Sequence, residues 1–281
     1  MLKTTLFMNS SRIQDRLYET VRDSLEPIGI KAKRVAESLW EEYEPYADPD
    51  FLEKVAEDFQ ARYWEMFLTT SLLRAGCTIM KKLDPEGPDI HLKYGDKSIW
   101  IEAVAPNSGD PLLPDSVPPF IPMDKPGVGD VPDNQLKLRI LNAISEKHKK
   151  WQDYINNRII GVDEPYIIAV NTCKIPLAFI DRDPPRIVRC VFDIGHPYVT
   201  FDGSSGKILE SGTKPGGGVK KSKGEVIPTN IFLNGEYKGV SAIFWSHINA
   251  ASAVDRIAEG KMTKDYFYSR PFFSADFRCD W

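Results

Sequence analysis

Three acidic residues are the first candidates for chemistry in this chain: Glu65 in ARYWEMFL, Asp89 in GPDI and Glu102 in IWIEAVAP. Asp89 and Glu102 lie on either side of Gly95-Asp96, a pair suited to a two-residue β-hairpin turn. Such a turn sets Tyr94 opposite Lys97, so that paired residue numbers sum to 191 along the ladder and Asp89 faces Glu102. Period two then puts Asp89, His91 and Lys93 on one face with Ser98, Trp100, Glu102 and Val104, while Ile90 and Leu92 share the other with Ile99, Ile101 and Ala103. Two carboxylates opposed on a sheet repel each other unless a cation, a proton or a basic partner compensates. A hard divalent metal with oxygen ligands is the direct way to do that.

The elements that must position these acids are a helix and a hairpin. A helical pattern runs from about Asp50 to Ala75, with Asp48 or Asp50 as caps and Gly76 as a stop. Its main apolar stripe is Leu52, Val55, Phe59, Tyr63, Met66 and Phe67; a second stripe reads Ala61, Glu65, Leu68, Leu72. Glu65 is either a partly buried carboxylate aimed at the hairpin acids or a residue on a solvent-facing flank beside Arg62. Strands are predicted at Thr78–Lys81, Ile90–Tyr94 and Ser98–Ala105, then a long Pro- and Gly-rich loop over Asn107–Asn134, a helix over Asn134–Asn157 and a buried strand at Tyr166–Asn171.

Upstream, Ser10–Leu25 and Lys31–Glu44 read as two amphipathic helices split by Pro27-Ile28-Gly29. From Ile187 onward the pattern is mostly β, at Val188–Phe192, Tyr198–Phe201, Val226–Leu233 and Val240–Trp245. The resulting division is a helical layer over residues 1–50, an α/β core over 51–180 and a β-rich extension over 181–281.

Composition limits the function classes. The chain has 281 residues, 36 Lys and Arg against 40 Asp and Glu, and a net charge of -4, so any polyanion site must be local. Cys77, Cys173, Cys190 and Cys279 are scattered, without a CxxC pair or histidines at ligand spacing, which suggests neither a zinc site nor a disulfide framework and fits a reducing cytoplasm. The N-terminal apolar stretch is too short for a signal-peptide core, and no run approaches a membrane span.

In order and spacing, these parts resemble the PD-(D/E)XK nuclease superfamily over about residues 51–175: Glu65 on its helix, Pro88-Asp89 opening a strand, Glu102 on the hairpin partner, then a helix and a strand. The resemblance implies a restriction-endonuclease-like fold, with a mixed central sheet flanked by helices, and Mg²⁺- or Mn²⁺-dependent hydrolysis of DNA or RNA. Asp89 and Glu102 would hold the ion, with Glu65 assisting. The chain departs from the pattern at Val104, where the superfamily's lysine belongs. Lys147 is the candidate replacement. It falls within the apolar face Ile140, Ile144, Trp151, Tyr154, Ile155, where it either reaches the acids or lays its stem on apolar surface with its ammonium in water. Lys93 is the runner-up.

For substrate, Gln135 and Arg139, one turn apart at the start of the helix, and Lys220 and Lys221 in the Gly-rich segment KPGGGVKKSKG are the candidates; each also suits an exposed polar surface. Asn171 could orient a ligand or cap its strand. Two further classes compete with a nuclease. A non-catalytic module of the same fold, binding nucleic acid or protein, is favoured by Val104. Glycoside hydrolysis needs two acids at separations of about 5–9 Å, wider than a direct cross-strand pair.

Overall fold

The computed structural model describes residues 4–8, 13–82, 86–120, 129–181 and 183–253. The chain divides into two compact units: residues 1–105, 147–174 and 239–281 form the first, and residues 106–146 and 175–238 the second. This partition cuts the chain differently from a division at residues 50 and 180.

The first unit is α/β, with a mixed five-stranded sheet flanked by helices. Its strands are β1 (Thr78–Met80), β2 (Ile90–Tyr94), β3 (Lys97–Val104), β4 (Tyr166–Asn171) and, numbered by chain order, β9 (Ala242–Ser246), arranged β1-β2-β3-β4-β9. The first two pairings are antiparallel and the last two parallel. β4 is buried on both faces, as its unbroken apolar run requires. The hairpin register pairs Tyr94 with Lys97, His91 with Trp100 and Ile90 with Ile101, which is the predicted ladder. Gly95, at φ +57°, supplies the left-handed first position of the turn.

Ahead of the sheet come α1 (Arg16–Asp23), α2 (Pro27–Tyr43), α3 (Phe51–Glu57) and α4 (Phe59–Arg74). Two expectations need correction here. Pro27-Ile28-Gly29 does not separate two helices but opens α2, because proline at the first helical position surrenders an N–H that had no partner anyway. The predicted start of the first helix at Ser10 lies outside the described residues. The single helix expected over Asp50–Ala75 is broken at Asp58, whose backbone leaves the helical region and whose carboxylate accepts from the Ala61 N–H to cap α4.

α4 is buried almost all round, with Phe59, Tyr63, Trp64, Met66, Phe67, Leu68 and Leu72 in the core beside Ile90, Leu92, Ile99 and Ile101 from the hairpin's apolar face. The Trp64 indole N–H donates to the Ala169 carbonyl at 2.9 Å and ties α4 to β4. A helix without a solvent-facing side leaves no exposed position for Glu65.

The helix α5 (Asp133–Asn156) contributes its last ten residues, from Lys147, to the first unit. They cover the opposite, Glu102-bearing face of β3, and the Tyr166 hydroxyl fastens them by donating to the Lys147 carbonyl at 3.0 Å. A Cβ on Gly239, just before β9, would stand 2.2 Å from the Trp151 ring, so that close approach requires glycine.

In the second unit Arg186–Val191 is a helix, α6, rather than the strand expected over Val188–Phe192. A short apolar run does not distinguish the two states. β5 (Ile194–Phe201) and β6 (Ile208–Pro215) form a hairpin, and β7 (Val219–Lys220) and β8 (Val226–Ile227) a second, smaller one. Of the predicted loop over Asn107–Asn134, residues 121–128 lie outside the described residues, and α5 begins within its last two. Among the described residues no helix is long and apolar enough to cross a membrane.

Candidate functional site

Glu102 sits on β3 with its side chain 1% exposed, and every oxygen of its carboxylate is taken. Oε1 accepts from Lys147 Nζ at 2.6 Å and from Lys150 Nζ at 2.9 Å, and Oε2 accepts from the Tyr154 hydroxyl at 3.0 Å. Burial pushes the Glu102 carboxyl up, but the two ammonium groups outweigh it and hold the group below its ordinary value. Lys147, Lys150 and Tyr154 stand at i, i+3 and i+7, so one face of α5 presents all three to the same carboxylate.

Asp89 precedes β2 by one residue and stands opposite Glu102 when the Ile90–Ile101 register is extended. Its Oδ2 accepts from the Ala103 N–H at 2.7 Å. Burial, then the charges of Glu102 and Glu65, push its carboxyl up to about 8, against a smaller opposing pull from Lys147. Glu65 is 4% exposed. Tyr43 donates to its Oε1 at 2.6 Å and Arg62 Nη1 binds its Oε2 at 2.6 Å. Burial raises the Glu65 carboxyl, and Arg62 and Tyr43 offset this only in part. Burial raises Tyr43 as well, and Glu65 adds to it.

Glu65, Asp89, Glu102 and Lys147 are therefore brought into one electrostatic cluster in the first unit, with Arg62 and Lys150 completing three acids against three bases. Glu65 is the buried carboxylate and not a solvent-facing flank residue, and Arg62 is its buried-side partner. Lys147 carries its ammonium to the acids and not to open water. Lys93 instead donates to the Ser98 hydroxyl at 2.9 Å, and His91 stacks on Trp100 at 3.9 Å. Val104 pairs with Val170 across the parallel β3–β4 ladder. Asn171 is fully buried and structural: it donates to the Ile248 carbonyl at 2.8 Å and accepts from the Cys173 N–H at 3.0 Å.

The remaining candidates belong to the second unit. Arg139 Nε donates to the Asn107 carbonyl at 2.8 Å, and Gln135 lines a cavity of about 320 Å³ with Pro111, Leu113, Pro114 and Val117. Lys221 pairs with Glu225 at 2.9 Å, while Lys220 is exposed on β7.

Lys150, Tyr154 and Tyr43 escaped the sequence reading. For the first two a signal existed, because they extend the helical face that already singled out Lys147. Tyr43 belongs to an element far upstream, with no local pattern to connect it to Glu65.

Carboxylate oxygens are the donor type a hard divalent ion takes, and Glu102 and Glu65 both act on Asp89 through their charge. The geometry is less complete. Among the described residues no group of three or more His, Cys, Asp or Glu side chains is arranged to hold a metal ion. The site thus offers a facing carboxylate pair with lysines on one member, not a closed cage.

No family model, no curated protein and no solved structure matches the chain.

Proposed function

We propose that this protein is a cytoplasmic, metal-dependent nuclease with a restriction-endonuclease-like core, hydrolysing phosphodiester bonds of DNA or RNA. One observation carries the reading. Lys147 donates to Glu102 Oε1 at 2.6 Å from a helix, which supports Lys147 as the substitute for the lysine missing at Val104. The order of helix, hairpin, helix and strand supports it further.

Asp89 and Glu102 would hold Mg²⁺ or Mn²⁺, with Glu65 nearby. The ion, when bound, supplies a water of lowered pKa and neutralises charge on the phosphate. Lys147 Nζ stays at the acid pair and stabilises the negative charge that develops on the phosphoryl oxygens. Tyr154 fixes Glu102 through Oε2, and Arg62 with Tyr43 fixes Glu65. Asp89, whose carboxyl burial and its acidic neighbours push up to about 8, would have to give up its proton to coordinate an ion. Gln135, Arg139, Lys220 and Lys221 remain candidates for holding nucleic acid.

A second reading, a non-catalytic nucleic-acid- or protein-binding module, is favoured by the fully engaged Glu102 carboxylate. Incubation with labelled single-stranded DNA, duplex DNA and RNA in Mg²⁺, Mn²⁺ or EDTA separates the two. The nuclease reading expects ion-dependent cleavage that falls by about 10³-fold in Asp89→Asn and Glu102→Gln, and by about 10²-fold in Lys147→Met. Binding without cleavage in every ion would sink it in favour of the module.

A further inference from the structure

In the second unit β5 and β6 form a two-stranded sheet of their own. Two strands alone are marginal in water, and an outer edge keeps a row of unpaired N–H and C=O groups that can template another strand. β6 is eight residues long and exposed at every one, whereas β1 and β9, the edges of the five-stranded sheet, have three and five residues. Val199, Phe201, Ile208 and Leu209 are exposed as well, so the hairpin buries little on its own. We infer that β6 is a self-association edge, at which two copies of this chain pair their β6 strands antiparallel about a two-fold axis through Gly212, giving a four-stranded sheet.

Charge selects the occupant. Charges of one sign along β6 would make it repel a second β6. Instead Glu210 and Lys214 lie two residues to either side of Gly212, on the face that carries Tyr198 and Thr200. A two-fold axis makes every contact reciprocal, so Glu210 of each copy meets Lys214 of the other, and Ser211 meets Thr213. Registers centred on Glu210 or on Lys214 oppose like charges, and Pro215, without an N–H, ends the ladder. Within one copy the Tyr198 hydroxyl donates to Glu210 Oε1 at 2.6 Å and holds that carboxylate in place, while Lys214 has no ion-pair partner among the described residues. The Tyr198 ring fills the space over Gly212, 3.2 Å from where a Cβ would stand, so no side chain crowds the axis on that face. The paired span from Glu210 to Lys214 is far smaller than a standard interface, which makes the dimer weak and dependent on concentration.

The test is sedimentation velocity of the full chain in low salt over about 5–500 μM, where wild type should pass from monomer toward dimer. Glu210→Lys and Lys214→Glu each set like charges opposite one another twice, and each should weaken the dimer at least about tenfold. The double variant Glu210→Lys/Lys214→Glu should restore it. So should an equimolar mixture of the two single variants, because every opposed pair is then unlike and a heterodimer forms. Lys207→Glu, the same charge change on an exposed residue just before β6, should leave the dimer unchanged. A wild type that stays monomeric over the whole range overturns the inference. It is equally overturned by a dimer indifferent to the single reversals, or by one that neither the double variant nor mixing restores. None of these readouts depends on cleavage, so the edge stands or falls apart from the nuclease reading.

Discussion

Among the described residues each compact unit holds a cluster of opposite charges, one centred on arginines at Asp133 and the other on lysines at Glu102. In the second unit Arg189 binds Asp133 through Nη1 at 2.9 Å and Nη2 at 3.1 Å, and reaches Asp181 at 3.0 Å. Arg186 adds a bond from Nε to Asp133 at 2.9 Å, and backbone carbonyls of Ala178, Ile180 and Pro184 take the other guanidinium nitrogens. Burial raises the Asp133 carboxyl, but Arg189, Lys137 and Arg186 overwhelm it and hold the group far below its ordinary range. The first unit's cluster relies on lysines at Glu102 and leaves Asp89 raised. Planar guanidinium forks that donate from every nitrogen close a cluster, whereas ammonium point charges on flexible stems leave it open to exchange. The first arrangement is suited to holding a fold, the second to holding a ligand.

That contrast breaks most visibly at Arg189. Its side chain is 1% exposed and donates three bonds to two aspartates that otherwise keep Arg186 and Lys137, so Arg189→Ala should destabilise the protein by about 3–5 kcal/mol, read from chemical denaturation. A loss below about 1 kcal/mol would show that the arginine cluster is no staple.

The acidic cluster should reveal itself through pH. Because Asp89's folded pKa lies above its unfolded value, the native state keeps a proton that the unfolded chain releases. Its stabilising contribution is complete below the unfolded pKa and is lost as pH climbs toward 8. Glu102 has the opposite sign, with a contribution lost only as pH falls below the ordinary carboxylate range, so it does not compete in that window. Wild type should therefore lose about 2–4 kcal/mol between pH 5 and 8 at this site, and Asp89→Asn should flatten that part of the profile. Identical slopes in the two proteins would remove Asp89 from the cluster.

What could be read from the sequence was local. The hairpin register followed from a two-residue turn and period two, and Lys147 stood out because a lysine interrupts a helical apolar face. What could not be read depended on distant partners or on absent contrast. β9 joins the sheet beside β4 across some seventy intervening residues, as the Ile167–Ala242 pairing shows, and its sequence names no neighbour. β6 is exposed along its whole length, so ILESGTKP shows no alternation. The break at Asp58 has neither Gly nor Pro to announce it, and RIVRCV reads as a strand until its two arginines are seen to serve buried aspartates. Lys150 follows Lys147 by three residues on the same helical side, but its half-exposed side chain reads as an ordinary surface lysine.

The smallest test concerns the one neutral group on Glu102. Tyr154 is held far above its ordinary pKa by burial and then by Glu102, so its hydroxyl stays a donor throughout the physiological range. Tyr154→Phe removes that donor from Oε2 while both lysines remain on Oε1, and should cost about 1.5 kcal/mol of stability. If the lysines exchange partners as their point charges allow, one of them shifts to Oε2, and the loss should be smaller in low salt than in high salt. A loss independent of salt would mean that Lys147 and Lys150 are as fixed as the arginines of the second unit, and the distinction between a closed and an open cluster would fail.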